Sequence, residues 1–325
     1  MYPLTFHPIM KRIVWGGRRL GDLLGKPIGP GNDYAESWEI VDHGDDHSQV
    51  ASGPLEGQTL RDIVRQRNES VLGSYADGGA FPLLLKYLDC NRVLSVQVHP
   101  DDDYARKMPR PDLGKTEAWY IVDAAPGSKI YAGLKSGVDR KSLQQAIAGG
   151  ATEEVLHVIE PKAGQCIFIP AGTVHALGGG LVVAEIQQSS DTTFRLFDWN
   201  RVGDDGRPRP LHIEQALDVT DYSIGPISPQ TPQADNDGLE TLVRCDKFVL
   251  KQATLSADSP GKRVTIGNLA APVIFTVVKG DITLACEDGW RFAAKTGQSF
   301  LIPAATPKLE ITGDNDAVVL MAYLP

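Results

Sequence analysis

"KAGQCIFIPAGTVH", residues 162–175, decides the reading of the fold, because the chain carries it twice. Residues 295–308 read "KTGQSFLIPAATPK", and seven of the fourteen aligned positions are identical: Lys, Gly, Gln, Ile, Pro, Ala and Thr. In each copy a short apolar run stops at a proline and turns through small residues. The match holds through both strand and turn. It therefore points to two copies of one β-barrel rather than two unrelated strand–turn–strand pieces. Three of the differences fall in the turn and just after it: His175 becomes Lys308, Gly172 becomes Ala305 and Val174 becomes Pro307. An ammonium is a poor metal ligand at neutral pH. The first copy thus reads as functional and the second as a structural relic.

Outward from the repeat, the apolar runs stay short: "FPLLLKYL", "RVLSVQVH", "EAWYIV", "LVVAEIQ", "VIFTVV". Gly, Pro and Asp bound them, which predicts an all-β-dominated chain of sandwich or barrel type. Helical signals are fewer. "TLRDIVRQR" has Thr59 as a candidate N-cap, "DRKSLQQAIAGG" starts at Asp139 and stops at Gly149-Gly150, and "PLHIEQALDVTDY" is a third. These read as helical excursions from a β framework. The Pro- and Ser-rich stretch 223–238 is the best linker. It predicts a catalytic, metal-binding domain over 1–232 and a C-terminal domain over 233–325 that lacks the metal ligands.

With 325 residues the chain has room for about two domains. Its 42% hydrophobic and 22% charged content is ordinary for a globular protein. A formal net charge of −9 argues against nucleic acid or an anionic membrane as partner. An anionic small substrate stays open, since a pocket can be locally basic. The four cysteines form no CxxC pair, and Cys90 and Cys166 read as small buried hydrophobes in a reducing compartment. The N-terminal "MYPLTFHPIMKRIVWGG" has no apolar core of signal-peptide length, and no run approaches ~18 apolar residues. A soluble cytoplasmic protein is expected, as a monomer or small homo-oligomer.

The single histidine of the first repeat gains meaning from residues elsewhere. Gln97 and His99 in "SVQVHPDDDYA" are two apart, so on a strand they share a side. Glu117 in "GKTEAWYIV" leads into another strand. With His175 these give two imidazoles, a carboxylate and an amide carbonyl, acceptable ligands for a borderline divalent metal. His7, His43, His47, His157 and His212 have no partner motif and read as ordinary core or surface residues. Asp191 and Arg195 are four apart, hence on one face of a strand, either pointing into a pocket or forming a surface ion pair. Lys115 precedes Glu117 by two and either shares the ligand's face or is a solvated loop lysine. Trp119 reads as a core residue that could also wall the pocket.

Together these segments resemble the type I phosphomannose isomerases, in particular the short bacterial form. The likeness runs through "RIVWGGRRL" (12–20), "AESWEI" (35–40), "FPLLLKYLDC" (81–90), "LSVQVHPDDDYA" (94–105), "GKTEAWYI" (114–121) and "PAGTVHALGGGLVVAEIQQSSDTTFRLFDWNR" (170–201). A "PxGxxH" turn is common to many cupins, but all these segments in order make a specific match. The resemblance implies two cupin (jelly-roll, double-stranded β-helix) barrels. It implies one divalent metal, zinc foremost, on Gln97, His99, Glu117 and His175. It implies catalytic roles for Lys115, Asp191 and Arg195, because the chain carries the family's Lys-x-Glu and Asp-x-x-x-Arg patterns. The longer members have extra helical material that this chain lacks, which leaves its phosphate-binding residues unassigned.

The expected activity is mannose-6-phosphate isomerase, interconverting mannose 6-phosphate and fructose 6-phosphate through a cis-enediol. A sugar phosphate is then the small-molecule partner, with no nucleic acid and no membrane. Such a reaction needs a Lewis acid for the oxygens, a base for the carbon-bound proton and a cation for the enediolate. The rival readings are another metal-dependent cupin enzyme, an epimerase or oxygenase, or a non-catalytic sugar-phosphate-binding cupin. Oxygenases usually show three ligands with open positions for O₂ on iron. The Lys115 and Asp191/Arg195 additions weigh against that. The non-catalytic rival would bind sugar without turnover.

Overall fold

The computed structural model describes residues 1–202, 206–235, 238–255, 264–266, 270–287 and 289–325. Among them the chain is strand-rich, and its three main sheets are built from antiparallel pairs. A five-stranded sheet runs in the order Leu156–Ile159, Ile130–Leu134, His175–Leu177, Val96–Val98, Phe194–Phe197. A six-stranded sheet runs Cys166–Ile169, Glu117–Ala124, Leu181–Gln188, Leu83–Cys90, Tyr34–Ile40, Ile9–Gly17. The third sheet is built mainly from strands after Gln233, around Val273–Cys286 and Leu309–Tyr323.

The six-stranded sheet is the middle layer. Its strands Leu83–Cys90 and Leu181–Gln188 are buried at every position. Period two splits them between two cores. Leu88, Cys90, Ile121, Leu181 and Val183 face the five-stranded sheet and pack with Ile130, Ala132 and Leu177. Leu83, Leu85, Tyr87, Val182, Ala184 and Ile186 face the other way and pack with Leu250, Ile274, Leu320 and Ala322 of the third sheet. Burial on both faces is why these strands read as continuous apolar runs rather than alternating ones. Each fully buried aliphatic side chain contributes about 1.5–3 kcal/mol.

The repeated segment forms the same turn in both places. Gly164 and Gly297 each sit at φ +87, where an L side chain is strained. At Gly297 a Cβ would also meet the Leu24 carbonyl at 2.2 Å. The Gln165 side chain accepts the Lys162 N–H at 2.8 Å, and the Gln298 side chain accepts that of Lys295 at 2.7 Å. The Thr173 N–H bonds the Pro170 carbonyl at 3.2 Å, and the Thr306 N–H bonds the Pro303 carbonyl at 3.0 Å. The shared Lys-x-Gly-Gln and Pro-x-x-Thr positions are thus the ones that build the turns.

The three expected helices are present at Leu60–Gln66, Arg140–Ala148 and Ile213–Val219. Thr59 caps the first through the Asp62 N–H, and Asp139 and Ser142 form a capping box on the second. Among its described residues the expected linker has no regular structure beyond the short strand Gln233–Ala234, and it packs back on earlier strands, with the Ile227 N–H on the Ala132 carbonyl and that of Gln230 on the Cys166 carbonyl. Its residues 236 and 237 lie outside the described residues. The strand Leu4–His7 pairs with Ser299–Ile302, so the third sheet takes strands from both sides of the 232/233 boundary. Cys90 and Cys166 are buried thiols outside any disulfide. Among the described residues no helix is long and apolar enough to cross a membrane.

Candidate metal centre and active site

Three adjacent strands of the five-stranded sheet set up one row. Arg195 pairs in register with Gln97, and Gln97 with His175. His99 follows one residue after its strand, on the same side as Gln97, as the spacing predicts. The six-stranded sheet brings Glu117 across the sandwich at the start of Glu117–Ala124. The two sheets thereby converge three ligand groups. Glu117 Oε2 lies 3.5 Å from His99 Nε2, and Glu117 Oε1 lies 3.4 Å from His175 Nε2. One donor atom from each of the three residues lies within 4.8 Å of the others. The Gln97 amide nitrogen is 3.3 Å from His175 Nε2. A half-turn of that amide exchanges its nitrogen for its oxygen.

The residues fit a cation. His99 Nδ1 sits 2.9 Å from the Thr192 carbonyl, and His175 Nδ1 sits 2.9 Å from the Thr173 carbonyl. Each carbonyl selects the tautomer with the proton on Nδ1 and leaves the Nε2 lone pair facing the site. Burial, with Lys115 and His175 adding repulsion, holds His99 well below the usual histidine pKa. Burial, seconded by Lys115, pulls His175 down to about 4. Both imidazoles are therefore neutral at pH 7, the ligating form. Glu117 Oε2 is buried and accepts no hydrogen bond. Its charged neighbour is the Lys115 ammonium at 3.2 Å, and a buried carboxylate with one oxygen facing each imidazole lone pair is a donor set that a divalent cation would satisfy.

Lys115 is 4% exposed, so the solvated-loop alternative does not hold. Its Nζ lies 3.2 Å from both His99 Nε2 and Glu117 Oε2. A cavity of about 300 Å³ opens beside the ligands, lined by Gln97, Lys115, Trp119, Asp191, Arg195 and Arg209, among others. Trp119 is both a core residue and a wall: it is 1% exposed, and its ring centroid lies 5.3 Å from that of His175. Asp191 and Arg195 do reach one cavity, but not from one strand. The strand begins at Phe194, and Asp191 lies in the preceding loop. Period two therefore does not apply between them. The Arg195 guanidinium instead bonds Ser95 Oγ at 3.2 Å and the Pro210 carbonyl at 3.0 Å. Burial and the nearby Arg209 lower its pKa. His212, which carried no motif, lies beside the site and accepts the Arg195 N–H at 3.3 Å.

A further charged group in the wall went unread in the sequence. Lys86 and Glu185 are opposite each other on neighbouring strands, with Nζ 3.2 Å from Oε1. Glu36 lies 3.4 Å from the same ammonium, and Trp119 Nε1 donates to Glu185 Oε2 at 3.1 Å. Burial opposes the Lys86 charge, but Glu185, Glu36, Glu117 and Asp191 outweigh it and raise its pKa. Burial and Glu117 raise that of Glu185. The signal was a lone charge inside "FPLLLKYL" and another inside "LVVAEIQ". The counterpart region after residue 273 is filled differently. Phe275 stacks on Phe300 at 4.9 Å, Phe292 meets Phe300 edge-on at 5.8 Å, and Lys308 is half-exposed, 3.8 Å from Glu287.

An antiparallel strand sandwich with two buried imidazoles and a carboxylate converging beside a polar cavity defines a metal-dependent cupin enzyme. Residues 4–123 match the family model described as phosphomannose isomerase type I, catalytic domain. The chain is 36% identical over 321 residues to the mannose-6-phosphate isomerase of Streptococcus mutans, covering 97% of each. It is 32% identical over 323 residues to the mannose-6-phosphate isomerase ManA of Bacillus subtilis, covering 98% of each. A crystal structure of the mannose 6-phosphate isomerase from Bacillus subtilis superposes with a TM-score of 0.88 at 31% identity, over the full length of both chains. The chain belongs to the type I phosphomannose isomerase family and is an aldose–ketose isomerase.

Proposed function

We propose that the protein interconverts mannose 6-phosphate and fructose 6-phosphate through a cis-enediol, at the site formed by Gln97, His99, Glu117 and His175. The observation that carries this is the convergence of His99, Glu117 and His175 within 4.8 Å beside a cavity that Arg195, Lys115 and Asp191 enter. The relatives named mannose-6-phosphate isomerase support the substrate. A divalent cation on these four residues, zinc foremost for a set of nitrogen and oxygen donors, supplies Lewis acidity to the sugar oxygens as they gain negative charge.

The protein's own groups carry the rest. Lys115, 3.2 Å from two of the ligands, is placed to hold and move the proton between C1 and C2. Asp191, at the cavity edge, serves ring opening. Arg195 stabilises the enediolate or holds the phosphate, and Ser95 and Pro210 fix its guanidinium. The Lys86–Glu185–Glu36 group sets a charged, water-poor wall. Residues 1–232 form the catalytic cupin unit, and 233–325 form a second cupin unit without metal ligands. The enzyme works in the cytoplasm as a monomer or small homo-oligomer, with no nucleic-acid or membrane partner.

The test is turnover of mannose 6-phosphate in deuterated water. A proton shuttle in a partly wet pocket predicts conversion to fructose 6-phosphate with partial deuterium incorporation. Complete retention of the C2 hydrogen under all conditions would remove Lys115 and Asp191 as bases, and binding without turnover would sink the isomerase reading.

A further inference from the structure

We infer that Asp112 is a positioning residue for the metal site: its carboxylate clamps the segment 190–192, which both orients His99 and carries Asp191. The inference rests on the proposed metal site. Ser190 Oγ donates to Asp112 Oδ2 at 2.9 Å, and Thr192 Oγ1 donates to the same oxygen at 2.7 Å. The other oxygen, Oδ1, accepts the Leu113 N–H at 2.8 Å and lies 3.8 Å from His43 Nδ1. The two hydroxyls flank Asp191 in sequence, so one carboxylate holds the chain on both sides of it.

The clamp matters because of where Thr192 points its carbonyl. That carbonyl meets His99 Nδ1 at 2.9 Å and so sets the tautomer and ring orientation of the ligand. The segment sits between the strands Leu181–Gln188 and Phe194–Phe197, outside both ladders. Its other ties are short-range ones: the Ser190 N–H to the Gln188 carbonyl at 2.8 Å, the Thr192 N–H to Ser190 Oγ at 3.3 Å and the Gln187 amide to the Ser190 carbonyl at 2.6 Å. Hydrogen bonds to an ionised acceptor are roughly twice as strong as neutral ones, so the carboxylate dominates this set. Asp112 is itself fixed. Its N–H bonds the Ala105 carbonyl at 3.2 Å, and the same loop runs on to Lys115, whose N–H bonds the Pro100 carbonyl at 3.0 Å. One side chain therefore ties the loop entering at Lys115 and Glu117 to the loop behind His99. His99 and Asp191 are held from outside the cavity by a residue that is absent from its lining.

The experiment is zinc titration against a chromophoric chelator, on the parent chain, Asp112→Ala, Asp112→Asn, Thr192→Val and the Asp112→Ala/Thr192→Val double variant, with melting curves for each. Loss of such an outer partner typically weakens metal binding by about 10–100-fold. That loss is expected for Asp112→Ala at a melting temperature near the parent's. Asp112→Asn, which keeps one acceptor in place, should recover most of it. Thr192→Val should lose part, and the double variant should lose little more than Asp112→Ala, because the two act through one contact. If Asp112→Ala does not fold, Thr192→Val paired with Ser190→Ala carries the same expectation. Unchanged zinc affinity in the clamp variants, full additivity, or no recovery by Asp112→Asn would each overturn the inference while leaving the metal site standing. A parent chain that binds no zinc would overturn both.

Discussion

Gln97 and His175 face each other across neighbouring antiparallel strands, with the amide nitrogen 3.3 Å from the imidazole Nε2. Arg195 continues the same row on the other side of Gln97. Gln97, His175 and Arg195 are therefore held by ladder register, and a variant at one of these positions leaves the other two placed.

His175→Ala should lose most bound metal and nearly all turnover while the fold survives. The parent chain should hold one metal, because Lys308 stands where the second repeat would need a histidine, and the core of that part of the chain is packed with the stacked rings of Phe275 and Phe300. Metal analysis on both proteins checks this. Two metals per parent chain at sites of this type would contradict it.

Arg195→Ala should lower turnover by about 10²–10³-fold with metal content near the parent's. Its bonds to Ser95 and Pro210 aim the guanidinium, and it ligates nothing. Lysine should rescue poorly, since a point charge lacks the planar fork. Normal turnover would demote Arg195 to a structural residue, and lost metal would mean that it supports the ligands instead.

Lys86→Met should cost about 3–5 kcal/mol of stability, because it strands Glu185 and Glu36 in the interior. Adding Glu185→Leu should recover part of that loss. Urea unfolding midpoints measure both. A Lys86→Met variant as stable as the parent would show that the wall is hydrated and the pair inessential.

These outcomes depend on residues of unequal legibility. The repeat was readable because its turns need particular residues: Gly164 and Gly297 for positive φ, and Gln165 and Gln298 to cap the turn. Gln97, His99, Glu117 and His175 were readable as ligand types at strand spacing. Lys86 and Glu185 were not, since a strand buried on both faces shows no alternation to mark which side a lone charge takes. Asp191 was placed on a strand because four-residue spacing says nothing about where a strand begins. Lys115 was ambiguous because its burial depends on the loop that Pro100 anchors. Asp112 carries no motif at all: its role exists only where two distant loops meet.

The metal-free protein should lose stability as pH falls from about 6.5 toward about 4. Unfolded histidines take up a proton near pH 6.5, whereas burial holds His175 neutral down to about 4 and keeps His99 well below the ordinary value. In that window the unfolded state binds more protons, so each such histidine removes about 1.4 kcal/mol per pH unit. Glu185 acts in the opposite sense, because burial raises its pKa, and it shallows the slope. Urea unfolding at pH 7, 6 and 5 should show the decline, with a smaller slope in His175→Gln. A flat parent profile would mean that the imidazoles protonate freely in the folded chain.

The central claim is that one metal, held by Gln97, His99, Glu117 and His175, is required for isomerisation at this site. Metal content and turnover of mannose 6-phosphate, measured on one preparation before chelation, after it and after zinc is returned, test it most directly. The account predicts one metal per chain, loss of activity in step with loss of metal, and recovery with zinc. Full turnover in exhaustively metal-free protein would contradict it.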